Sequence, residues 1–322
     1  MKLKKETLLI GVSIIALISF PLMATANVFS NQANSIEQYD ARYSCIEVPS
    51  SIVFCGETID LTRYDRHERM DRELLAFSYM HSTSLQTIKR ANRYFPIVEP
   101  ILKECGIPED FKYLMAIESA CNPFARSHAG ASGLWQIMPV TGKQFGLVVN
   151  NFVDERYDVE KSTRAACKYF KEAYDRFGDW ISVAASYNAG QARISSQKRH
   201  QYTEDALDLR LVEETARYVY RIFAIKMLFN NPTDFGFYLK ASDLYPIIPC
   251  RKLRVSTDIV DLARWAKSQG TTYALIRDLN PWIRNSELRC HGKSYTILIP
   301  DKVQMHYNPR VVIPYDKRWV VE

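Results

Sequence analysis

A carboxylic acid stands where an apolar residue is expected. In "FKYLMAIES", residues 111–119, Phe111, Leu114, Met115 and Glu118 recur at i, i+3, i+4 and i+7, the spacing of one helix face. Three are apolar and the fourth ionises. Placing a charge on such a face is costly unless it is paired or neutralised. The pKa of Glu118 should therefore rise, and a carboxyl still protonated near neutral pH is what general-acid chemistry requires. A structural glutamate satisfied by a backbone or side-chain partner fits the same spacing.

The residues that follow favour chemistry. "NPFARSHAGASG" is rich in turn formers, and Gly130 and Gly133 let backbone come close to a ligand. "LWQIMP" then sets Trp135, Gln136, Ile137 and Met138 in a row: an aromatic, an amide and two apolar groups. Trp135 suits core packing as well as a cleft. About 70 residues after Glu118, Ser186, Tyr187 and Asn188 form a second polar and aromatic cluster at a predicted helix end, before Gly190.

Helices must position these groups. "PEDFKYLMAIES" opens with Pro108 and two acids, the chemistry of a helix start. "DVEKSTRAACKYFKEAYDRFG" carries an apolar stripe through Ala165, Ala166, Tyr169, Phe170, Ala173, Tyr174 and Phe177, with Gly178 as the stop. "DWISVAASYNAG" is shorter, capped by Asp179, and "LVEETARYVYRIFAIKMLF" reads as a long, largely buried helix. "LQTIKRANRYFPIVEPILKECG" is helical but broken near Pro96 and Pro100. Residues 27–60 are weakly patterned, an arm or a short strand pair.

The 322 residues, 47% of them hydrophobic, suffice for one sizeable core or two smaller ones. A net charge of +6, with no basic block interleaved with aromatics, argues against a nucleic-acid partner. The first 26 residues show a Lys-rich start, an apolar run from Leu8 to Leu22 and Ala24-Thr25-Ala26, the pattern of a cleaved signal peptide. An uncleaved anchor would need a longer run. No Cys follows closely enough for lipidation, so the expectation is a soluble periplasmic protein starting near Asn27, with no required membrane association. Export permits disulfides among the seven cysteines, whose odd number leaves at least one unpaired within the chain. No C-x-x-C spacing or His cluster points to zinc.

Three stretches, "ESACNPFARSHAGASGLWQIMPVTGKQFGL", "DERYDVEKSTRAACKYF" and "DWISVAASYNAGQARI", resemble the lytic murein transglycosylase domain over about residues 95–230. The likeness extends to the membrane-bound lytic murein transglycosylase D group. It implies a mainly α, lysozyme-like fold that cleaves the β-1,4 bond between N-acetylmuramic acid and N-acetylglucosamine in peptidoglycan glycan strands. It places Glu118 on the single catalytic acid, Ser127 and Gln136 along the glycan cleft, Met138 beneath a sugar, and Tyr187 and Asn188 over the acid and the bound muramyl residue. Ser119 and Gly133 would shape the loop. The group's lipidated Cys is missing here.

Ordinary glycosidases use two carboxylates. Of Asp154, Glu155, Asp158, Glu160, Glu172, Asp175 and Asp179, the residues Asp158 and Asp179 read as helix caps and the others as polar-face or first-turn charges. The resemblance implies that one acid suffices: Glu118 protonates the leaving oxygen, then takes the proton from the muramyl 6-hydroxyl, giving a 1,6-anhydro end. No metal or organic cofactor is needed. A hydrolytic muramidase and a silent peptidoglycan-binding scaffold remain as alternatives, and protein partners are not identifiable.

Residues 252–300 resemble the LysM peptidoglycan-binding module, a small α+β unit. "IVDLARWAKSQG" and "YALIRDLN" would be its helices and Tyr295–Pro300 its closing strand, while Ser256-Thr257-Asp258 replaces the usual "GDT" turn. The module either grips glycan or only packs on its neighbour. Cys250 and Cys290, just before the two strands, are candidates for a disulfide. The expected organisation is a signal peptide (1–26), an arm (27–60), the transglycosylase domain (61–235), a linker (236–250), the LysM-like module (251–301) and a tail (302–322).

Overall fold

The computed structural model describes residues 45–302 and 305–321. The proposed signal peptide, its cleavage site and most of the arm lie outside the described residues. Cys45 belongs to an N-terminal unit that ends there; the unit from Ile46 onward is described below.

Strands β1 (Ser51–Phe54) and β2 (Glu57–Asp60) form an antiparallel hairpin, so the end of the weakly patterned region is a strand pair. Phe54 enters the helical core, its ring 6.1 Å from Phe111 and 5.4 Å from Phe223. Helices α1 (Tyr64–Tyr79), α2 (His81–Glu104), α3 (Phe111–Ser119), α4 (Pro139–Gln144), α5 (Val159–Phe177), α6 (Trp180–Ala189), α7 (Gln191–Gln201) and α8 (Glu213–Asn230) build that core. Asp158 caps α5 and Asp179 caps α6, each carboxylate accepting the N–H three residues on, and left-handed Gly178 ends α5.

One expectation fails. Helix α2 is continuous through Pro96 and Pro100. A proline inside a helix costs roughly 3 kcal/mol, but Ile88, Ala91, Phe95, Val98, Ile101 and Leu102 on the same helix are all buried. Burying one such side chain is worth about 1.5–3 kcal/mol, so tertiary packing outweighs both breaks.

Strands β3 (Cys250–Val255) and β4 (Tyr295–Pro300) pair antiparallel, with α9 (Leu262–Ser268) and α10 (Tyr273–Leu279) between them in sequence. Cys250 lies opposite Pro300 and Val255 opposite Tyr295. Cys250 therefore starts the far end of the ladder, while Cys290 lies near Thr257, to whose carbonyl its Sγ donates at 3.2 Å. Five residues of strand are about 16 Å, beyond the reach of a disulfide. Both cysteines are free thiols.

The module is stitched to the helical domain. Asp154 N–H donates to Trp282 O and Arg284 N–H to Phe152 O, both at 2.8 Å. Val153 and Tyr157 of the helical domain sit in the module's own core. Residues 232–249 lie on the helical core, with Phe235, Phe237, Leu239 and Leu244 buried. The tail also returns there: Trp319 is buried, and its Nε1 donates to Phe229 O at 2.8 Å. No helix among the described residues is long and apolar enough to cross a membrane.

Candidate active site

Helix α3 delivers Glu118 from a buried base. Phe111, Leu114, Met115 and Ala116 are excluded from solvent, and the Phe111 ring meets Phe170 of α5 at 4.4 Å. The acid that could have capped α3, Asp110, turns outward to tertiary partners, accepting from Cys55 N at 2.6 Å and from Lys226 Nζ at 2.8 Å. At the other end the chain leaves the helix abruptly. Ala120 and Cys121 both adopt left-handed φ values, 50° and 53°, costing roughly 1–2 kcal/mol per residue. Gln136 repeats this at φ 47°. Three strained non-glycine residues thus flank the candidate acid and its loop, where such strain tends to collect.

The Glu118 carboxyl is desolvated. Burial pushes its pKa from the ordinary 4.5 up to about 7, against the lowering effects of the Tyr218 hydroxyl and the Arg221 guanidinium; Glu214 adds to the rise. The Tyr218 hydroxyl donates to Glu118 Oε1 in a short hydrogen bond. Burial, and then the Glu118 charge, holds the Tyr218 phenol well above its ordinary pKa, so it stays a donor. Glu214, Tyr218 and Arg221 fall at i, i+4 and i+7 on α8, one stripe aimed at the acid.

Tyr187, near the end of α6, lies within the field of Glu118, which together with burial raises its pKa. Its hydroxyl donates not to the acid but to Trp135 O at 2.6 Å. That bond ties the glycine-containing loop to α6. Trp135 itself is a core residue: it is fully buried, its Nε1 donates to Thr163 Oγ1 at 2.9 Å, and its ring meets Phe170 at 5.7 Å. Asn188 Oδ1 accepts from Thr215 Oγ1 of α8 at 2.8 Å.

The loop's other residues serve its own shape. Ser127 is exposed, and its Oγ accepts from Ala131 N–H at 3.1 Å. Gln136 donates its amide to Gly133 O at 2.8 Å and Ala125 O at 3.1 Å. Met138 stands 42% exposed at the loop's end, free to meet a ligand. Ser119 Oγ donates to Met115 O at 3.3 Å. Tyr218 thus meets Glu118 directly, Tyr187 lies within its field, and the hydrogen bonds of Ser127 and Gln136 stay within the loop.

Tyr218, Arg221 and the Arg156 clamp are not apparent from the motifs. Arg156 is buried, salt-bridged to Asp154 at 2.7 Å, and its Nη1 donates to Gly130 O at 2.7 Å and Ile137 O at 2.9 Å, gripping the loop at two points. The signal for Tyr218 is its hydroxyl: a tyrosine on a helix reading as buried requires a polar partner.

The family described as Transglycosylase SLT domain matches residues 99–209, which include Glu118, Ser127, Gln136, Met138, Tyr187 and Asn188. Residues 251–303 match the family described as Soluble lytic transglycosylase C-terminal LysM-like domain. The chain is 30% identical over 240 residues to the membrane-bound lytic murein transglycosylase D of Escherichia coli (strain K12), covering 73% of this chain and 51% of that protein. It therefore spans about half the length of that relative. Over 90 residues it is 39% identical to the soluble lytic murein transglycosylase of the same organism, covering 26% of this chain and 14% of that one. The solved 70 kDa soluble lytic transglycosylase of Escherichia coli aligns at 22% identity with a TM-score of 0.37, over 62% of this chain and 33% of that chain, too loose a likeness to carry weight. The chain thus carries a transglycosylase SLT domain over residues 99–209, followed by a soluble lytic transglycosylase C-terminal LysM-like domain over residues 251–303.

Proposed function

We propose that this chain is an exported peptidoglycan lytic transglycosylase that cleaves the N-acetylmuramyl-β-1,4-N-acetylglucosamine bond and leaves 1,6-anhydro-muramyl ends. The observation that carries the reading is Glu118: a desolvated carboxyl with a pKa near 7, held by the Tyr218 hydroxyl inside a transglycosylase SLT domain. Near neutral pH such a group both gives and takes a proton. Glu118 protonates the glycosidic oxygen as the C1–O bond breaks. Its carboxylate, now accepting from Tyr218, then takes the proton of the muramyl 6-hydroxyl as that oxygen closes on C1. No water is consumed. Tyr187 and Asn188 cover the muramyl residue, and Ser127, Gln136 and Met138 line the glycan path.

A hydrolytic route needs a second carboxylate to direct water. Of the acids weighed from the sequence, several are engaged with other partners: Asp154 with Arg156, Glu155 with Lys161, Asp158 and Asp179 as helix caps, Glu160 with Lys252, and Glu172 with Gln191. Glu214 stands exposed in the first turn of α8. The basic, apolar and A-x-A segments of residues 1–26 support export and cleavage near Asn27.

The pH dependence of sacculus solubilisation tests this reading. Glu118 must start protonated, so kcat/KM should hold below pH 7 and fall about tenfold per pH unit well above it. Tyr218 hydrogen-bonds the charged form and so lowers the pKa. Tyr218→Phe should therefore move the alkaline limb to higher pH. A limb that stays in place in this variant, or wild-type activity that keeps rising through pH 9, would remove Glu118 from the acid role.

A further inference from the structure

Away from Glu118, a cavity of about 500 Å³ opens where the LysM-like module meets the helical domain. Its charge is lopsided. Lys161, Arg164 and Lys168 line it from α5, and Lys293 lines it from the loop before β4. Glu155 is the single acid in the lining. The three α5 cations fall at i, i+3 and i+7, one helix face.

Two of the four are largely uncompensated. Lys161 is bound to Glu155 at 2.5 Å and lies over the Tyr295 ring at 5.1 Å. Arg164 pairs with Glu104 at 2.8 Å. Among the described residues, the Lys168 ammonium meets only a carbonyl, Phe145 O, at 3.2 Å. Lys293 is exposed; its backbone N–H donates to Cys290 O at 2.9 Å, but its ammonium has no hydrogen-bond or ion-pair partner among the described residues.

Apart from Ser294, the rest of the lining is glycine or largely apolar, with Phe145, Leu147, Val148 and Tyr295 among it. Such a wall is of no use to a small inorganic anion but suits aliphatic groups beside a carboxylate. The cavity also lies within reach of the candidate active site. Helix α4, six residues or about 9 Å long, runs from Met138 to Phe145. The Phe145 ring meets Tyr169 at 6.0 Å, and Tyr169 meets Tyr187 at 5.2 Å. A peptide of four residues extends about 13 Å.

We infer that this interdomain cleft binds the acidic peptide branch of a peptidoglycan strand, with Lys168 and Lys293 receiving its carboxylates and Phe145, Leu147 and Tyr295 its aliphatic groups. The inference rests on the proposed substrate, whose muramyl residues bear such branches. It gives the LysM-like module a part in recognition through one wall of the cleft.

Calorimetric titration of the full chain tests it with three probes: a synthetic branch tetrapeptide with free carboxylates, its fully amidated twin, and inorganic phosphate. The free-acid peptide should bind at least about 10-fold more tightly than the twin, and phosphate should not displace it. The double charge reversal Lys168→Glu/Lys293→Glu should weaken peptide binding by about 10-fold or more at low salt. Both side chains are exposed, so an unchanged circular-dichroism melt is expected. Equal affinity for the amidated twin, wild-type affinity in the double variant, displacement by phosphate, or no peptide binding at millimolar concentration would each overturn the inference. Cleavage of peptide-free glycan strands reports on the Glu118 reading separately. Cleavage without peptide binding defeats the cleft alone; peptide binding without cleavage leaves the cleft standing and defeats the transglycosylase reading.

Discussion

Glu118→Gln is expected to reduce turnover on purified peptidoglycan by at least about 10²-fold, the usual scale for a lost acid–base group, while making the folded protein more stable above pH 7. The amide keeps the shape of the side chain and can still accept from the Tyr218 hydroxyl, but it cannot deliver a carboxylic-acid proton. The stability gain follows from linkage. The folded-state pKa of Glu118 is raised from 4.5 to about 7 by burial. Between those two values the folded state holds the proton and the unfolded state does not, so wild-type stability falls as pH rises from 4.5 to 7 and levels off beyond. The full penalty above pH 7 is about 3 kcal/mol, at 1.36 kcal/mol per pKa unit. Thermal melts of the two proteins should therefore nearly coincide near pH 4.5 and separate at pH 8, with the glutamine variant higher. A wild-type turnover, or a gap that does not grow with pH, would show that Glu118 is an ordinary solvated carboxylate.

The second large effect lies in the loop. Gly133 has φ +79°, and a Cβ built there would stand 2.0 Å from the Arg156 carbonyl oxygen. Backbone on backbone cannot yield as a flexible side chain would. Gly133→Ala should thus cost about 2–5 kcal/mol, combining left-handed strain with overpacking. The damage would reach the chemistry because Arg156 also holds Gly130 and Ile137, and Trp135 between them carries the carbonyl that fixes Tyr187. A displacement of about 1 Å in such a site costs about 10²-fold in rate. Gly130→Ala is the matched control: its φ is +89°, but nothing stands within 4 Å of the added Cβ. That change should cost only about 1–2 kcal/mol. Denaturant titration with turnover measurement on both variants checks this, and near-equal behaviour of the two would rule out the close approach to Arg156.

What could be read before the structure was what local spacing records. Glu118 stood out because one polar residue interrupted an i, i+3, i+4, i+7 stripe, and the caps Asp158 and Asp179 were legible from type and position alone. Tyr218 was not, since its bond to Glu118 joins residues 100 apart, and no short-range periodicity encodes such a contact. Arg156 carries no local signal in "DERYD" either: it is buried because Asp154 and two loop carbonyls satisfy it together, partners that only the fold brings to it. Pro96 and Pro100 misled for the opposite reason: a local preference was outweighed by the tertiary burial of α2. Cys250 and Cys290 illustrate register. Strands that pair antiparallel begin at opposite ends, so two residues that each precede a strand are not neighbours.

The central claim is that one carboxyl, Glu118, both gives and takes the proton, with the substrate's own 6-hydroxyl as nucleophile. Mass spectrometry of the fragments that the wild-type protein releases from purified sacculi tests it most directly. The new muramyl ends should be 1,6-anhydro sugars, lighter by one water than hydrolytic ends, and should incorporate no oxygen from ¹⁸O-labelled solvent. Reducing muramyl ends carrying solvent oxygen as the main product would contradict the account and require a second carboxylate or a bound water at the Glu118 site.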